Sequence, residues 1–128
     1  MTELQTHQIS PYLPFKLKCQ VKDKGQIVIA ELHSVYADGT CTFCDTVEGE
    51  KGFDWVKPCL VPLDELAYCS NMLKHLGYRI DEDAITDVIA DIKDGKAGYD
   101  IMQMCFEEHI DVFELIKKGL AVDVNTLN

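Results

Sequence analysis

The chain has 128 residues and a mass of 14.4 kDa, which is the size of one domain. Its residues are 47% apolar and 27% charged, a composition that is typical of a folded globular protein and excludes a disordered tail. No apolar run approaches the roughly 18 residues of a membrane helix, and the polar start MTELQTHQIS is not a signal-peptide pattern, so we expect a cytoplasmic protein. Twelve basic residues against 22 acidic residues give a net charge of −10, which disfavours general binding to nucleic-acid phosphates.

The first half of the chain has the patterns of short antiparallel strands. Apolar and polar residues alternate over 15–21, which predicts a half-buried strand, and Pro11 and Pro14 predict an extended entry into it. The apolar run over 26–37 predicts a second strand whose even-numbered residues face the core. The dipeptide Asp38-Gly39 then predicts a two-residue hairpin turn, because it supplies the positive φ angles of a type I′ turn.

A third strand over 40–46 is expected to pair back after this turn. Residues 53–63 follow a glycine-containing loop and add further extended chain, but Pro58 and Pro62 restrict that chain to an edge or a crossing. Residues 1–63 therefore predict four or five antiparallel strands in a small curled sheet or partial barrel. Whether this part closes like an SH3 barrel stays open.

The second half, residues 64–128, has about three helical patterns. The first extends from Asp64 to Gly77. The second covers 82–93 and is preceded by the capping residue Asp81. The third covers about 99–118, with a possible bend and a new cap near Asp111. The chain is therefore predicted to be an α+β protein, with the antiparallel sheet and the helices packed together in one integrated domain.

Residues on the apolar side of each pattern form the predicted core. We expect these side chains to be buried: Phe15, Leu17, Cys19, Val21, Leu32, Phe43, Ile85, Val88, Ile89, Phe106 and Phe113. The prediction is sensitive to register, because a shift of one residue moves every strand side chain to the opposite face.

Three segments cover both ends and the centre of the chain, namely 10–18 (SPYLPFKLK), 56–66 (VKPCLVPLDEL) and 111–127 (DVFELIKKGLAVDVNTL). They resemble small proteins encoded by Bacteroides-type gut bacteria and by their phages or prophages, whereas residues 67–99 match least. The resemblance implies a bacterial cytoplasm and a mobile-element setting. It implies no reaction, and no catalytic residue is carried over from it.

Residues that could support catalysis or bind a metal are scattered. Six cysteines without an export signal are typical of reduced cytoplasmic thiols, and the one local pair, Cys41 and Cys44, is predicted to point to opposite faces of a strand. We therefore expect no metal and no cofactor. The pair His33 and Cys44 is better explained as a surface coincidence than as a catalytic pair, and His109 is expected at the core edge, bonded to a carbonyl. The prediction is that the protein is not an enzyme.

Two charged groups and one aromatic residue are candidates for binding a partner. The acidic stripe of the second helix is either a solvated face or a surface for a basic partner. The lysine strip of the first strand either protects a sheet edge or contacts an acidic partner. The tryptophan is either a core anchor or an exposed contact. The residues are Asp83, Asp87 and Asp91 in the stripe, Lys16, Lys18 and Lys22 in the strip, and Trp55.

These features lead to three hypotheses about function. The first is a non-enzymatic accessory protein of a phage or mobile element that binds a host or phage macromolecule, most simply a protein, through the strand part or the acidic helix. The second is a nucleic-acid-associated module in which the lysine strip contacts phosphates and Trp55 stacks on a base. The third is an acidic inhibitor of a DNA-binding enzyme. Oligomeric state and partner identity are not encoded in any pattern of the chain.

Overall fold

The computed structural model describes residues 3–44 and 47–126. This part of the chain contains four α-helices and six strands, together with several 3₁₀ turns. The helices are α1 (Thr6–Ile9), α2 (Ser70–His75), α3 (Glu82–Lys93) and α4 (Tyr99–Glu107), and the strands are β1 (Lys18–Asp23), β2 (Gln26–Val35), β3 (Thr40–Phe43), β4 (Lys51–Gly52), β5 (Val56–Leu60) and β6 (Val122–Asp123).

The strands form one curled half-barrel sheet in the order β4-β3-β2-β1-β5-β6, which confirms the predicted α+β class. Neighbouring strands are antiparallel except β5 and β6, which are parallel. The sixth strand comes from the end of the chain and adds to the four or five strands predicted for residues 1–63. The strand β1 lies between β2 and β5, so the interpretation of its lysines as protection for a sheet edge is wrong.

A β-bulge in β2 changes which side chains face the core. Leu32 lies opposite Phe43 and Ser34 lies opposite Thr42, so His33 is an extra residue on this strand. An extra residue reverses the alternation of faces beyond it. The prediction that all even-numbered residues face the core is therefore wrong for Tyr36, which is 43% exposed.

The entry into the sheet is helical, so the predicted extended segment is wrong. Residues Ser10–Phe15 form a 3₁₀ helix in which Pro11 occupies the start, where a helix does not need the backbone N–H that proline lacks. Lys16 follows with a left-handed φ of 57°, and the strand begins only at Lys18. The predicted third strand is observed over Thr40–Phe43, and residues 45 and 46 of that prediction lie outside the described part.

The central predicted helix is confirmed at both ends as α3. The Asp81 side chain accepts a hydrogen bond from the Ala84 N–H at 2.9 Å, which caps the helix as expected. The first predicted helix is instead a 3₁₀ segment, Leu63–Cys69, continued by α2. The third was predicted too long, since α4 ends at Glu107 and the chain turns at His109, which has a φ of 58°.

The predicted core is confirmed in part, because six of its eleven residues are buried, five are half-buried and none is exposed. Four of the six buried members lie in strands of the sheet. The buried residues are Leu17, Cys19, Val21, Leu32, Phe43 and Ile85, and the half-buried ones are Phe15, Val88, Ile89, Phe106 and Phe113. Burial of the inner face leaves the outer face of β1 and β2 free for contact with other molecules.

Candidate functional site

Two aliphatic side chains are exposed in the middle of the outer sheet face. Ile27 and Ile29 of β2 are 59% and 44% exposed, and they lie opposite Lys22 and Gln20 of β1. Exposed isoleucines are unusual on a strand whose outer positions are otherwise polar, and a group of exposed apolar side chains is typical of a contact surface.

Trp55 extends this apolar surface and is not a core anchor. It belongs to the 3₁₀ turn Phe53–Trp55 that enters β5, and its side chain is 55% exposed. Since Val56 pairs with Val21, the next position of the antiparallel register places Trp55 beside Lys22. The interpretation of this tryptophan as a core residue is therefore wrong, and its interpretation as an exposed contact agrees with the structure.

A groove of about 660 Å³ lies between the tip of the β1–β2 hairpin and the segment that joins β4 to β5. Its charged lining residues are Lys22, Lys24, Lys51 and Glu50, and Ile27 and Trp55 form its apolar part. Lys51 forms an ion pair with Asp23, with 2.9 Å between Nζ and Oδ1. That ion pair holds one wall of the groove and neutralises one of its three lysines.

Four exposed lysines lie on or beside this outer face, two of them in the groove. Lys18, Lys22, Lys24 and Lys57 are exposed, and within residues 3–44 and 47–126 none of them forms an ion pair. Lys57 lies opposite Gln20 on the neighbouring strand. We call the surface formed by Ile27, Ile29, Trp55 and these four lysines the sheet-face patch.

The predicted lysine strip is only partly present. Lys18 and Lys22 share the outer face of β1, but Lys16 lies before the strand in a left-handed conformation and does not continue the row. Sequence reasoning missed Lys24 and Lys57. Lys24 is in the turn of the β1–β2 hairpin. Lys57 lies between buried Val56 and Pro58 in β5, so the alternation of side chains along a strand would have placed Lys57 on the outer face.

The acidic stripe lies where the helical pattern places it. Asp83, Asp87 and Asp91 are exposed on α3, and within the described residues they form no ion pair. Like charges spaced four residues apart on a helix repel each other. The structure adds no group beside this stripe that would indicate a ligand.

Relief of this repulsion gives a stability prediction. The double variant Asp87→Asn/Asp91→Asn is expected to raise the free energy of unfolding by about 0.5 kcal/mol. It removes two like-charge pairs, and it removes the negative charge of Asp91 from the last turn of the helix, where the helix dipole disfavours it. Denaturant unfolding followed by circular dichroism measures the change. Asp83→Asn is the control: it removes one pair but also a favourable charge at the helix start, and we expect a smaller change. A destabilised double variant would contradict the prediction.

The six thiols are buried or half-buried, and His109 contacts a backbone carbonyl. Burial raises the pKa of Cys41 and of Cys105 to about 12, and it also raises the pKa of Cys19, Cys59 and Cys69. A protonated thiol is a poor nucleophile and a poor metal ligand. Nε2 of His109 lies 2.7 Å from the carbonyl oxygen of Phe15, which confirms the expected carbonyl contact.

The described residues contain no group of three or more His, Cys, Asp or Glu side chains placed to hold a metal. Cys41 lies in β3 with its Sγ 3.7 Å from the carbonyl oxygen of Lys51, and Cys44 follows the strand with its Sγ 3.7 Å from Oε2 of Glu31. The strand interpretation of Cys41 is confirmed. Nδ1 of His33 lies 3.4 Å from Oγ1 of Thr42.

Comparisons with protein-family models, with curated proteins and with solved structures give no match. Among the described residues, no helix has the length and apolar character needed to cross a membrane.

Proposed function

We propose that the protein is a non-enzymatic binding module that docks an acidic, partly apolar segment of a partner protein on its sheet-face patch. The observation that carries the proposal is the exposure of Ile27, Ile29 and Trp55 in one patch with four lysines that form no ion pair with any described residue. The partner we propose is a host or phage protein, in keeping with the setting that the sequence resemblance implies.

The apolar part of the patch supports a protein partner. Protein interfaces have an apolar centre and a polar rim, and buried tryptophans often contribute the largest share of the binding energy. Apolar side chains of the partner would cover Ile27, Ile29 and Trp55. Its carboxylates would meet Lys18, Lys22, Lys24 and Lys57 at the rim, where charge complementarity sets specificity and the association rate.

Nucleic acid fits this surface less well. Phosphates gain nothing from exposed isoleucines, and base or phosphate recognition usually employs arginine forks. The one arginine of the chain, Arg79, lies in the helical part, where its guanidinium forms an ion pair with Asp81 at 2.7 Å. The net charge of −10 also repels a polyanion at a distance.

The fluorescence of Trp55 tests the proposal directly, because this is the sole tryptophan of the chain. We expect a synthetic peptide of alternating Glu and Leu to bind saturably and to shift the emission of Trp55 to shorter wavelength. Lys22→Glu/Lys24→Glu should weaken this peptide by about tenfold or more, since the variant reverses charges that line the groove.

The matched control variant is Lys74→Glu/Lys96→Glu, which makes the same charge change at exposed positions of the helical part and should bind like the wild type. A peptide with Lys in place of Glu should not bind to the patch. Equal losses of peptide affinity in the two variants would overturn the proposal in favour of a net-charge effect. The proposal would also be overturned, in favour of a nucleic-acid partner, if the protein bound no peptide but bound single-stranded oligo(dT) tightly and with a steep salt dependence.

A further inference from the structure

A second groove, separate from the sheet-face patch, lies between α2 and α4. It has a volume of about 460 Å³, and Met72, Leu76 and Met104 form its apolar part. Met104 is 4% exposed and Leu76 is 36% exposed, so the groove has a buried floor and an open edge. Methionine side chains are flexible and polarisable, and surfaces that contain them adapt to different apolar partners.

The rim of this groove is acidic along α4. Asp100 and Glu107 both line it, and they are seven residues apart, which is about two turns or 10 Å along the helix. Within residues 3–44 and 47–126, neither carboxylate forms an ion pair. The Tyr78 hydroxyl donates a hydrogen bond to Oδ1 of Asp100 at 3.3 Å, which fixes the position of that carboxylate.

The opposite rim, on α2, carries Asn71 and His75. Two of the lining residues are therefore negatively charged, and none is a lysine or an arginine. The whole helical half shares this sign, because the stripe of Asp83, Asp87 and Asp91 lies on the neighbouring α3. A cationic partner would approach this half of the molecule favourably.

We propose that the groove between α2 and α4 binds one face of a basic amphipathic helix from a partner protein. Apolar residues at helical spacing fit the strip of Met72, Leu76 and Met104, and lysines or arginines two turns apart match the separation of Asp100 and Glu107. This inference is independent of the proposed sheet-face function, because it depends on different residues and on the opposite charge.

The two longer helices of a second copy, α3 and α4, do not have this chemistry. The longest helix, α3, carries Glu82, Asp83, Asp87 and Asp91 against one lysine, Lys93. Packing it into an acidic groove would place like charges together, and this costs free energy. The occupant that the charges favour is therefore a different, basic protein segment.

Methionine methyl NMR on the intact protein tests the proposal with four probes, because the chain has four methionines. Met72 and Met104 line the groove, whereas Met102 lines a different cavity beside Phe113 and is an internal control. The probe is a synthetic helical peptide of about 14 residues with Leu on one face and Lys on the other, a length at which an isolated helix is marginally stable.

We expect this basic peptide to shift the Met72 and Met104 methyl resonances saturably and to leave the Met102 resonance in place. A peptide with the same leucines and Glu in place of Lys should bind at least about tenfold more weakly. Glu107→Lys should remove most of this preference. Asp94→Lys is the matched control, with the same charge change at an exposed position at the end of α3, and it should behave like the wild type.

Equal affinity for the two peptides, or equal shifts at all methionines, would overturn the proposal. Methyl shifts that depend on protein concentration without any peptide would assign the groove to a second copy instead. Lys22→Glu/Lys24→Glu should leave the Met72 and Met104 shifts unchanged, so the result is separate from the fate of the sheet-face proposal.

Discussion

Replacing Asp111 with alanine is expected to lower the free energy of unfolding by about 3 kcal/mol, because the variant leaves two buried or partly buried backbone donors without an acceptor. The Asp111 side chain is 3% exposed. Its two oxygens accept hydrogen bonds from the N–H groups of Leu115 at 2.8 Å and Ile116 at 2.9 Å. Denaturant unfolding measures the loss, and Asp94→Ala, at an exposed position, is the control with an expected change below about 0.5 kcal/mol.

The pH dependence provides a second test of the same carboxylate. Burial raises the pKa of Asp111 above its ordinary value of 3.8, and the hydrogen bonds from Ile116 and Leu115 only partly oppose this. A carboxyl whose pKa is higher in the folded state contributes its full stability below the unfolded-state pKa and loses it as the pH rises through the folded-state pKa. Compared with Asp111→Asn, the wild type should therefore gain stability as the pH falls towards 3.8. The opposite slope would contradict the burial argument.

Asp111 also illustrates what the sequence could predict. A cap near this residue was expected from an aspartate before an apolar run, and the side chain does bind the N–H groups four and five residues later. The helix expected to follow is absent, because Glu114 and Gly119 both have positive φ angles that break the segment into turns. A local signal thus predicted the capping contact but not the fate of the chain after it.

The parts of the fold that were predicted correctly depend on local periodicity. The helix α3 has a cap, an uninterrupted apolar stripe and a glycine after its end, and these signals lie within a few residues of one another. The alternation in β1 likewise identifies its inner face, since Cys19 and Val21 are both buried. Such patterns need no information about distant contacts.

The errors arise from the pairing of strands, which the periodicity of a single segment does not show. The bulge at His33 arises in the pairing of β2 with β3, and β6 joins the sheet by pairing with β5, about sixty residues earlier. The strand β6 has only two residues, which are too few to show a periodic pattern, so the sequence does not indicate its parallel pairing with β5. The exposure of Trp55 has the same origin, because it depends on how the turn before β5 crosses the hairpin tip.

The candidate site could be predicted in its chemistry but not in its extent. Lys18, Lys22 and Trp55 were singled out as possible partner contacts, and the structure places them in one patch. Adding Lys57 required the register of β5 against β1. The predicted register of β2, with even-numbered residues facing the core, does place Ile27 and Ile29 on the outer face. They were not singled out as contacts because residues 26–37 are almost continuously apolar, which is also the pattern of a strand buried on both faces.

Tyr12 connects the first and last thirds of the chain, and its replacement should have the largest effect on stability. It lies in the 3₁₀ helix Ser10–Phe15, and it is fully buried, with 0% exposure. Its hydroxyl donates a hydrogen bond to the carbonyl of Ile110 and accepts one from the N–H of Val112 at 3.4 Å. Its ring packs edge-on against Phe106 with 5.1 Å between the ring centres. Burial raises the pKa of the Tyr12 hydroxyl above its ordinary value of 10.0, so it is a hydrogen-bond donor at neutral pH.

Two variants separate the contributions of the hydroxyl and the ring. Tyr12→Phe keeps the ring and is expected to cost about 2 kcal/mol, because the Ile110 carbonyl and the Val112 N–H lose a buried partner. Tyr12→Ala also opens a cavity beside Phe106 and should cost about 4 kcal/mol in total. Tyr99→Ala is the control, since that side chain is 82% exposed and its loss should change the free energy of unfolding by less than about 0.5 kcal/mol. If Tyr12→Phe unfolds like the wild type, the hydroxyl does not hold the two segments together, and packing on Phe106 alone accounts for the burial of this residue.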